Sequence, residues 1–442
     1  MAKKILIVDD SALMRRVISD IIKLSNDYEV AAIAKDGLEG LDMIVSNPKL
    51  YSAVILDINM PKMNGLELLE RLQKMHIEQT VIVVSTVAKQ GAKETIRALE
   101  LGAFDFVTKP ENYLETKGEV FRKRIYEILD VATASSKGSV FSAGSVPRTS
   151  VSETKQGGSQ QRSAADRQAR SRDSFAAGTS ASAQIRSTSG LRTGTLANGV
   201  PVSTASSPVI DADSLKSGGT PASHSGSTEA VQSEGGVFNS SRYIGVKRGK
   251  SKIVALACST GGPKSLQQVI PMLPSGLDAP VVLVQHMPAG FTLSLAQRLD
   301  EISEVHVKEA EDGEVLKNGT VYIAPGGRHM RIVRSKMECY IRLSDEPAVE
   351  GLRPCANLMY ESLESCGYDE VTCVVLTGMG ADGTNGIKGL AARHVNIHVI
   401  AQDEDTCIVY GMPKAIAQSG LVDEVVPLSG VAEEITRNVG VS

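Results

Sequence analysis

The chain has 442 residues and a formal net charge of −4 at pH 7, so it has room for two domains and lacks the basic balance typical of nucleic-acid binders. No apolar run approaches the ~18–20 residues of a membrane span, and Asp9 and Asp10 interrupt the apolar start too early for a signal peptide. We therefore expect a soluble, cytoplasmic protein that binds no nucleic acid and does not insert into a membrane. The six cysteines include no Cys-x-x-Cys pair, which argues against a disulfide or zinc framework and predicts reduced, mostly buried thiols.

Residues 1–133 alternate short apolar runs with helical patterns. Strands are predicted at Lys4–Val8, Tyr28–Ala34, Ala53–Leu56, Val81–Ser85 and Phe104–Val107. Helices are predicted at Ala12–Leu24, Gly37–Ser46, Leu66–Met75, Ala88–Leu101 and Thr116–Asp130. This alternation predicts an α/β domain with an open parallel sheet and helices on both of its faces.

Residues 134–243 differ sharply in composition. Ser, Gly, Ala, Thr and Gln dominate, and no period of 2 or 3.6 residues persists. Such a segment buries too little apolar surface to offset the entropy of ordering the chain. We predict a disordered linker of roughly 110 residues, which as a flexible chain would span roughly 55–60 Å.

Residues 244–442 return to an α/β pattern. Strands are predicted at Lys252–Cys258, Pro280–Val284, Thr320–Ile323, Thr372–Leu376 and His398–Ile400. Helices are predicted at Pro263–Ile270, Leu293–Leu299, Cys355–Ser365, Asn385–Ala392 and Pro413–Ser419. The pattern predicts a second α/β domain.

Charged side chains follow the predicted strands of the N-terminal domain. Asp9 and Asp10 come after the first strand, Asp57 after the third, and Lys109 after the fifth. Because ligands bind outside the carboxyl ends of parallel strands, these groups are expected to meet at one edge. Three carboxylates there predict a site for a hard divalent cation such as Mg²⁺, while a carboxylate attacks phosphorus and Lys109 neutralises phosphoryl oxygens. Turn chemistry explains one aspartate after a strand, but not the whole set.

These residues lie in motifs that resemble the two-component receiver domain over residues 1–130. The motifs are Val8-Asp9-Asp10, Leu56-Asp57-Ile58-Asn59-Met60-Pro61, Ser85-Thr86 and Thr108-Lys109-Pro110. The resemblance implies a flavodoxin-like fold and phosphorylation of Asp57 by a histidine kinase. It also implies that Asp10, Asp57 and the Asn59 carbonyl bind Mg²⁺, with Asp9 acting through water.

The receiver resemblance assigns two further residues. Ser85 would bind the phosphoryl group beside Lys109, and Phe106 would be the aromatic switch.

In the C-terminal domain, three apolar runs end on reactive side chains, at Ser259, His286 and Asp382. These residue types form a nucleophile, a general base and a group that orients the base. Ser259 also precedes a helix start, where free backbone N–H groups can stabilise an oxyanion. The chain order differs from that of α/β-hydrolases, and no Gly-x-Ser-x-Gly elbow is present. The pattern alone therefore leaves the triad open.

Four alternatives compete with this interpretation. Cys258 could be the nucleophile, although neighbouring side chains on a strand alternate faces. Gly262-Pro263-Lys264-Ser265 faintly resembles a phosphate-binding loop, but the spacing fails. A transcription factor would need a helix-turn-helix motif and a basic face, and neither is visible. A catalytically dead binding module would have lost its triad.

Residues 250–440 resemble the chemotaxis protein-glutamate methylesterase domain. The matching stretches are Ala257-Cys258-Ser259-Thr260-Gly261-Gly262, Val284-Gln285-His286-Met287-Pro288, Ile323-Ala324-Pro325-Gly326-Gly327-Arg328-His329-Met330, Arg353-Pro354, Leu376-Thr377-Gly378-Met379-Gly380-Ala381-Asp382-Gly383, Ala401-Gln402-Asp403-Glu404 and Tyr410-Gly411-Met412-Pro413. The resemblance implies a second doubly wound parallel sheet, with Ser259 as nucleophile, His286 as base and Asp382 as its partner. It also implies an oxyanion-hole N–H near Met379 and a groove position for His329.

The resemblance further implies the function and its control. We expect hydrolysis of glutamate methyl esters on chemoreceptors with release of methanol, deamidation of receptor glutamines, and a role in adaptation in chemotaxis or a related chemosensory system. Hydrolysis would need no cofactor. The unphosphorylated receiver would cover the hydrolase cleft, and the protein is expected to be a monomer. Cys258, Cys355 and Asn357 depart from the usual family residues and would affect the substrate groove rather than the triad.

Overall fold

The structure, a computed structural model, describes residues 2–86, 88–110, 118–134, 250–336 and 338–442. Almost all of the predicted linker, and the predicted start of the fifth helix at Thr116, lie outside the described residues. Within the described residues, no helix is both long enough and apolar enough to cross a membrane.

The N-terminal part forms a parallel sheet of five strands in the order β2-β1-β3-β4-β5. The strands are β1 (Lys3–Val8), β2 (Tyr28–Ala34), β3 (Ala53–Asp57), β4 (Val81–Ser85) and β5 (Asp105–Thr108). The helices are α1 (Ala12–Lys23), α2 (Gly37–Ser46), α3 (Gly65–Lys74), α4 (Lys89–Glu100) and α5 (Glu119–Ala134). This confirms the predicted flavodoxin-like, doubly wound architecture.

Alternation along the buried strands explains why helices cover both faces of this sheet. On β1, Ile5 and Ile7 pack with Ile18 of α1 and Ile125 of α5. The intervening Leu6 and Val8 belong to a second cluster, on the face covered by α2, α3 and α4. Because successive side chains of a strand point to opposite faces, an uninterrupted apolar run produces two apolar surfaces.

The C-terminal part forms a larger parallel sheet, in the order β14-β13-β12-β6-β7-β9-β8. Its strands are β6 (Lys252–Cys258), β7 (Val281–Gln285), β8 (His306–Glu309), β9 (Thr320–Ile323), β12 (Glu370–Val375), β13 (Ile397–Gln402) and β14 (Glu424–Val426). The antiparallel pair β10 (His329–Ser335) and β11 (Glu338–Ser344) stands apart from it. The helices are α6 (Gly262–Val269), α7 (Phe291–Ile302), α8 (Ala356–Ser362), α9 (Thr384–Ala392), α10 (Met412–Ala417) and α11 (Val431–Val439).

The second doubly wound parallel sheet is therefore confirmed, and it is larger than the sequence patterns predict. Strands β8, β10, β11 and β14 and helix α11 have no counterpart among the predicted elements. All four missed strands carry exposed or half-buried residues in most positions, as in β14, where none of the residues is buried. Short, partly exposed strands lack the continuous apolar run that identifies a buried strand.

Strand order determines where the polar residues meet. In the first sheet β1 lies next to β3, and in the second β6 lies between β12 and β7. In the first sheet the chain adds β2 on one side of β1 and then β3 on the other side. In the second sheet it adds β7 on one side of β6 and later β12 on the other side. Open α/β sheets bind ligands outside the carboxyl ends of the strands at such reversal points.

Candidate functional sites

Three carboxylates meet at the carboxyl edge of the first sheet. Asp9, Asp10 and Asp57 each offer an oxygen, and these oxygens all lie within 4.8 Å of one another. Lys109 Nζ lies 2.7 Å from Asp57 Oδ2 and 3.2 Å from Asp9 Oδ2. The structure thus brings together the acidic residues and the lysine that the sequence places at this edge.

The donor set of this cluster fits a hard divalent cation. Asp9 Oδ2 is buried and has no hydrogen-bond partner among the described residues, although the Lys109 ammonium lies 3.2 Å from it. Burial raises the pKa of both Asp9 and Asp57 and outweighs the opposing Lys109 ammonium. Ionised carboxylates in this position therefore call for further positive charge, and oxygen ligands are those that Mg²⁺ prefers.

The side chains of Asn59 and Ser85 donate hydrogen bonds to residues of α4. Asn59 Nδ2 donates to Glu94 Oε2 at 2.9 Å, and the proposed role of the Asn59 carbonyl stays a prediction. Ser85 is buried, and its hydroxyl donates to the Gly91 carbonyl at 3.2 Å. In this arrangement the Ser85 hydroxyl donates away from Asp57, so binding a phosphoryl group would require the hydroxyl to turn.

The second candidate site lies where three loops leave neighbouring strands of the larger sheet. Ser259 follows β6, His286 follows β7, and Asp382 lies beyond the end of β12. The β6 and β7 strands pair Cys258 with Gln285, so Ser259 and His286 leave the sheet at the same level. His286 Nε2 lies 2.8 Å from Asp382 Oδ2.

Asp382 is held by several donors from one short segment. Its carboxylate accepts backbone hydrogen bonds from Ala356 (2.6 Å) and Asn357 (3.0 Å), and the Cys355 thiol donates to it at 3.2 Å. Burial alone would raise the pKa of Asp382, but the hydrogen bonds from His286, Ala356 and Asn357 outweigh it and lower the pKa to about 2. Asp382 is therefore ionised at neutral pH, and it accepts hydrogen bonds from His286 on one side and from Ala356 and Asn357 on the other.

The ionised carboxylate determines the tautomer of His286. A carboxylate can only accept, so the His286 nitrogen facing it, Nε2, carries the hydrogen. In the neutral ring Nδ1 is then free of hydrogen and can accept a proton. Within the described part of the chain, the Ser259 hydroxyl makes no hydrogen bond to His286, a contact that commonly tightens only when substrate binds.

The Ser259 loop offers unpaired backbone donors. The backbone N–H of Ser259 donates to the Thr377 carbonyl at 3.0 Å, which connects the Ser259 loop to the loop that carries Met379. Among the described residues, the backbone N–H groups of Thr260 and Met379 have no acceptor. Donors of this kind beside a nucleophile are what an oxyanion hole requires.

Two alternative assignments fail on burial. Cys258 is fully buried, and burial raises the pKa of its thiol well above the ordinary range, so it is neither exposed nor ionised. The groove position expected for His329 is wrong, because this side chain is fully buried and its Nε2 lies 3.1 Å from the Pro347 carbonyl. Cys355 and Asn357 do contact the Asp382 carboxylate, contrary to the expectation that they affect only the groove.

Two neighbouring residues of β5 contact the loops of the second site. The Thr260 hydroxyl donates to Asp105 Oδ2 at 2.9 Å, and both residues are buried. The Phe106 ring stacks on Phe291 with centroids 4.7 Å apart. Thr260 follows Ser259 in the chain, and Phe291 begins the helix after His286. No sequence pattern predicts the contact between Asp105 and Thr260, since the two residues are 155 positions apart in the chain.

A third contact links α4 and α7 at the same boundary. Arg298 Nε lies 2.5 Å from Glu100 Oε1. Arg97 also contacts Glu100, at 2.8 Å, and Glu301 contacts Arg298 at 3.2 Å. Charges of alternating sign thus run along the boundary between the two parts of the chain.

Comparison with known proteins gives matches for both parts. Residues 254–435 match the family described as CheB methylesterase, and residues 5–118 match the response regulator receiver domain. The protein-glutamate methylesterase/protein-glutamine glutaminase of Desulfotalea psychrophila is 34% identical over 99% of this chain and 98% of its own. The protein of that name from Bacillus subtilis is 32% identical over 99% of this chain and 98% of its own. The crystal structure of the Thermotoga maritima CheB methylesterase catalytic domain is 43% identical, with a TM-score of 0.41, and covers 43% of this chain and 99% of its own.

Proposed function

Because this chain belongs to the protein-glutamate methylesterase/protein-glutamine glutaminase family, with a receiver domain before the methylesterase domain, we propose that it hydrolyses glutamate methyl esters on chemoreceptors. The observation that carries the proposal is the His286–Asp382 pair at 2.8 Å beside the Ser259 loop. In this proposal Ser259 is the nucleophile, His286 the base and Asp382 the orienting carboxylate, and hydrolysis is proposed to proceed without a cofactor.

In the proposed reaction, Ser259 Oγ attacks the ester carbonyl carbon and its proton passes to His286 Nδ1. Asp382, ionised at neutral pH because its pKa is about 2, stabilises the imidazolium that forms. Backbone N–H groups of Thr260 and Met379 stabilise the oxyanion. The tetrahedral intermediate expels methanol, which takes the proton from His286.

Water then completes the cycle. His286 removes a proton from a water molecule that attacks the acyl-enzyme, and Ser259 leaves with that proton as the glutamate carboxylate is released. A glutamine side chain enters the same sequence with ammonia as the leaving group. We therefore include deamidation of receptor glutamines in the proposed activity.

The N-terminal domain is proposed to control this reaction through phosphorylation of Asp57 by a histidine kinase. Asp9, Asp10 and Asp57 would hold Mg²⁺, with the Asn59 carbonyl as a further ligand; the ion would neutralise the charge of the phosphoryl donor. Lys109, whose Nζ is 2.7 Å from Asp57, would bind the phosphoryl oxygens. The cytoplasmic location and the monomeric state stay predictions.

We also propose that the unphosphorylated receiver restricts access to the hydrolase loops. Support comes from the Asp105–Thr260 hydrogen bond and the Phe106–Phe291 stack, which join one receiver strand to the loops of the nucleophile and the base. Phosphorylation would move Ser85 and Phe106 and so weaken this docking. In this proposal the contacts between the receiver and the hydrolase loops are those of the inhibited enzyme.

The test of the activity is methanol release from a carboxyl-methylated receptor fragment, with ammonia release from its glutamines measured in parallel. Ser259→Ala should lower both rates by orders of magnitude while leaving the unfolding midpoint close to that of the natural chain. If Ser259→Ala retained normal methanol release, Ser259 would not be the nucleophile. If the natural chain released no methanol, the proposed substrate would be wrong.

A further inference from the structure

One buried amide links the nucleophile loop to the base loop. Gln285 is the last residue of β7 and is 1% exposed. Its Nε2 donates to the backbone carbonyl of Ser259 at 3.0 Å and to that of His286 at 3.2 Å. A single NH₂ group therefore uses its two hydrogens to join the two residues that must exchange a proton.

The orientation of this amide is determined by a third neighbour. Gln285 Oε1 lies 3.0 Å from Cys258 Sγ, and the thiol is the donor. Because burial raises the pKa of Cys258, its sulfur keeps the hydrogen that this bond needs. With Oε1 facing the thiol, the NH₂ group must face the two carbonyls.

The residues around the amide are packed closely against it. A side chain at Gly262 would collide with Gln285 Oε1 and would touch Cys258 Sγ, so the absence of a Cβ makes room for the amide. The Ser259 carbonyl also accepts from Gly262 at 2.8 Å, and the Ser259 N–H donates to Thr377. The backbone of the nucleophile is thus held at every polar atom, with Gln285 as the side chain that connects it to His286.

We propose that Gln285 is a positioning residue of the hydrolase, which sets the separation of Ser259 from His286, and that the Cys258 thiol orients its amide. Gln285 acts through backbone carbonyls and does not touch the substrate. The proposal rests on the proposed function, because it assigns Ser259 and His286 as nucleophile and base. Cys258 is too deeply buried to be the nucleophile, and in this proposal its role is to orient the Gln285 amide.

The test compares substitutions in the full-length chain, with acetyl phosphate and Mg²⁺ present throughout. Gln285→Met keeps the length of the side chain and removes both donors; Gln285→Glu keeps the shape but places a carboxylate against two carbonyls. Cys258→Ser retains a donor and Cys258→Ala removes it. The control is Thr372→Val on β12 of the same sheet; it removes one hydrogen bond, of 2.6 Å, from the buried Thr372 hydroxyl to the half-buried Asn438.

Two readouts separate positioning from general stability. The first is kcat and KM for methanol release. The second is the rate at which a small fluorophosphonate labels Ser259, a reaction in which the Oγ–P bond forms, fluoride leaves and no receptor is required. Because a displacement of about 1 Å can cost about 10²-fold in rate, Gln285→Met should lower kcat and the labelling rate by about 30- to 100-fold and leave KM within about twofold.

The remaining variants sharpen the result. Gln285→Glu should be at least as slow as Gln285→Met, and Cys258→Ser should stay within about threefold of the natural chain, with Cys258→Ala slower. Thr372→Val should lose thermal stability and keep its kcat. Normal labelling of Ser259 in Gln285→Met would overturn the proposal, as would an equal loss of kcat in Thr372→Val at equal stability. If no methanol is released by any variant but labelling still falls in Gln285→Met, the substrate is wrong and the positioning role stands.

Discussion

The contact between Arg298 and Glu100 offers a direct test of the proposed inhibition by the receiver. Arg298→Ala removes an ion pair of 2.5 Å in which the Glu100 side chain is 11% exposed and the Arg298 side chain 37% exposed. Apart from each other, the two residues pair with Arg97 and Glu301, and neither of these belongs to the acidic cluster or to the Ser259, His286 and Asp382 site. The substitution should therefore change docking without changing either chemistry.

The size of the effect follows from the exposure of the pair. A fully exposed ion pair contributes about 0.2–1 kcal/mol, so a pair shielded on one side is placed near the top of that range, at about 1 kcal/mol. Losing about 1 kcal/mol of docking raises the ratio of open to docked protein about fivefold. Arg298→Glu adds repulsion of similar size, so its ratio should rise about 30-fold, limited by the rate of the fully open enzyme.

The assay is the basal rate of methanol release by the unphosphorylated full-length chain. We expect the basal rate to increase in the order natural chain, Arg298→Ala, Arg298→Glu, with the phosphorylated maximum unchanged. The reversal Glu100→Arg should partly restore inhibition to Arg298→Glu, because the pair is then re-formed with opposite signs. Salt should reduce all of these differences.

Two controls make the test specific. Arg393→Ala removes an ion pair of 3.2 Å with Glu364 inside the hydrolase domain and should leave the basal rate unchanged. Arg298→Glu in a fragment that starts near Ser251, which has no receiver, should have no effect. The contradicting outcome has two parts. The fragment is clearly faster than the full-length chain, but Arg298→Glu has the basal rate of the natural chain. That result would show that another interface inhibits the enzyme.

The other predictions concern the acceptor, the triad and the linker. Asp57→Asn should abolish labelling by acetyl phosphate, since an amide is not a nucleophile; persistent labelling would place the acceptor elsewhere. Ser259→Ala combined with His286→Ala should be little slower than either change alone, because the residues act as a unit, and multiplicative losses would argue against that. Shortening residues 150–230 should lower basal activity and spare the phosphorylated maximum, because closing a chain of roughly 110 residues costs roughly 1.5 kcal/mol more than closing one of about 20. Equal basal rates for the fragment from Ser251, the full chain and the shortened chain would mean that the receiver is not a lid.

The sequence alone determines the first parallel sheet, the five buried strands of the second, and the edges at which the reactive residues lie. The buried strands are continuous apolar runs, and the reactive residues Asp57, Ser259 and His286 each end or follow such a run. Parallel strands bring their carboxyl ends to one edge, so position along the chain is enough to predict that these groups meet. Ser259, His286 and Asp382 also lie in short motifs that resemble a known family, and a short motif can be recognised without the fold.

The tertiary structure alone determines how the site is held. The donors that lower the pKa of Asp382 come from Ala356 and Asn357 on a different segment, and the partner of Thr260 is Asp105, 155 positions away in the chain. Gln285 stands beside His286 in the sequence, yet its contact with Ser259 depends on the pairing of β6 with β7. The periodicity of apolar residues shows which face of a helix or strand is buried. Hydrogen bonds between distant loops depend instead on strand order and on the packing of the two domains, and no short stretch of sequence encodes either of these.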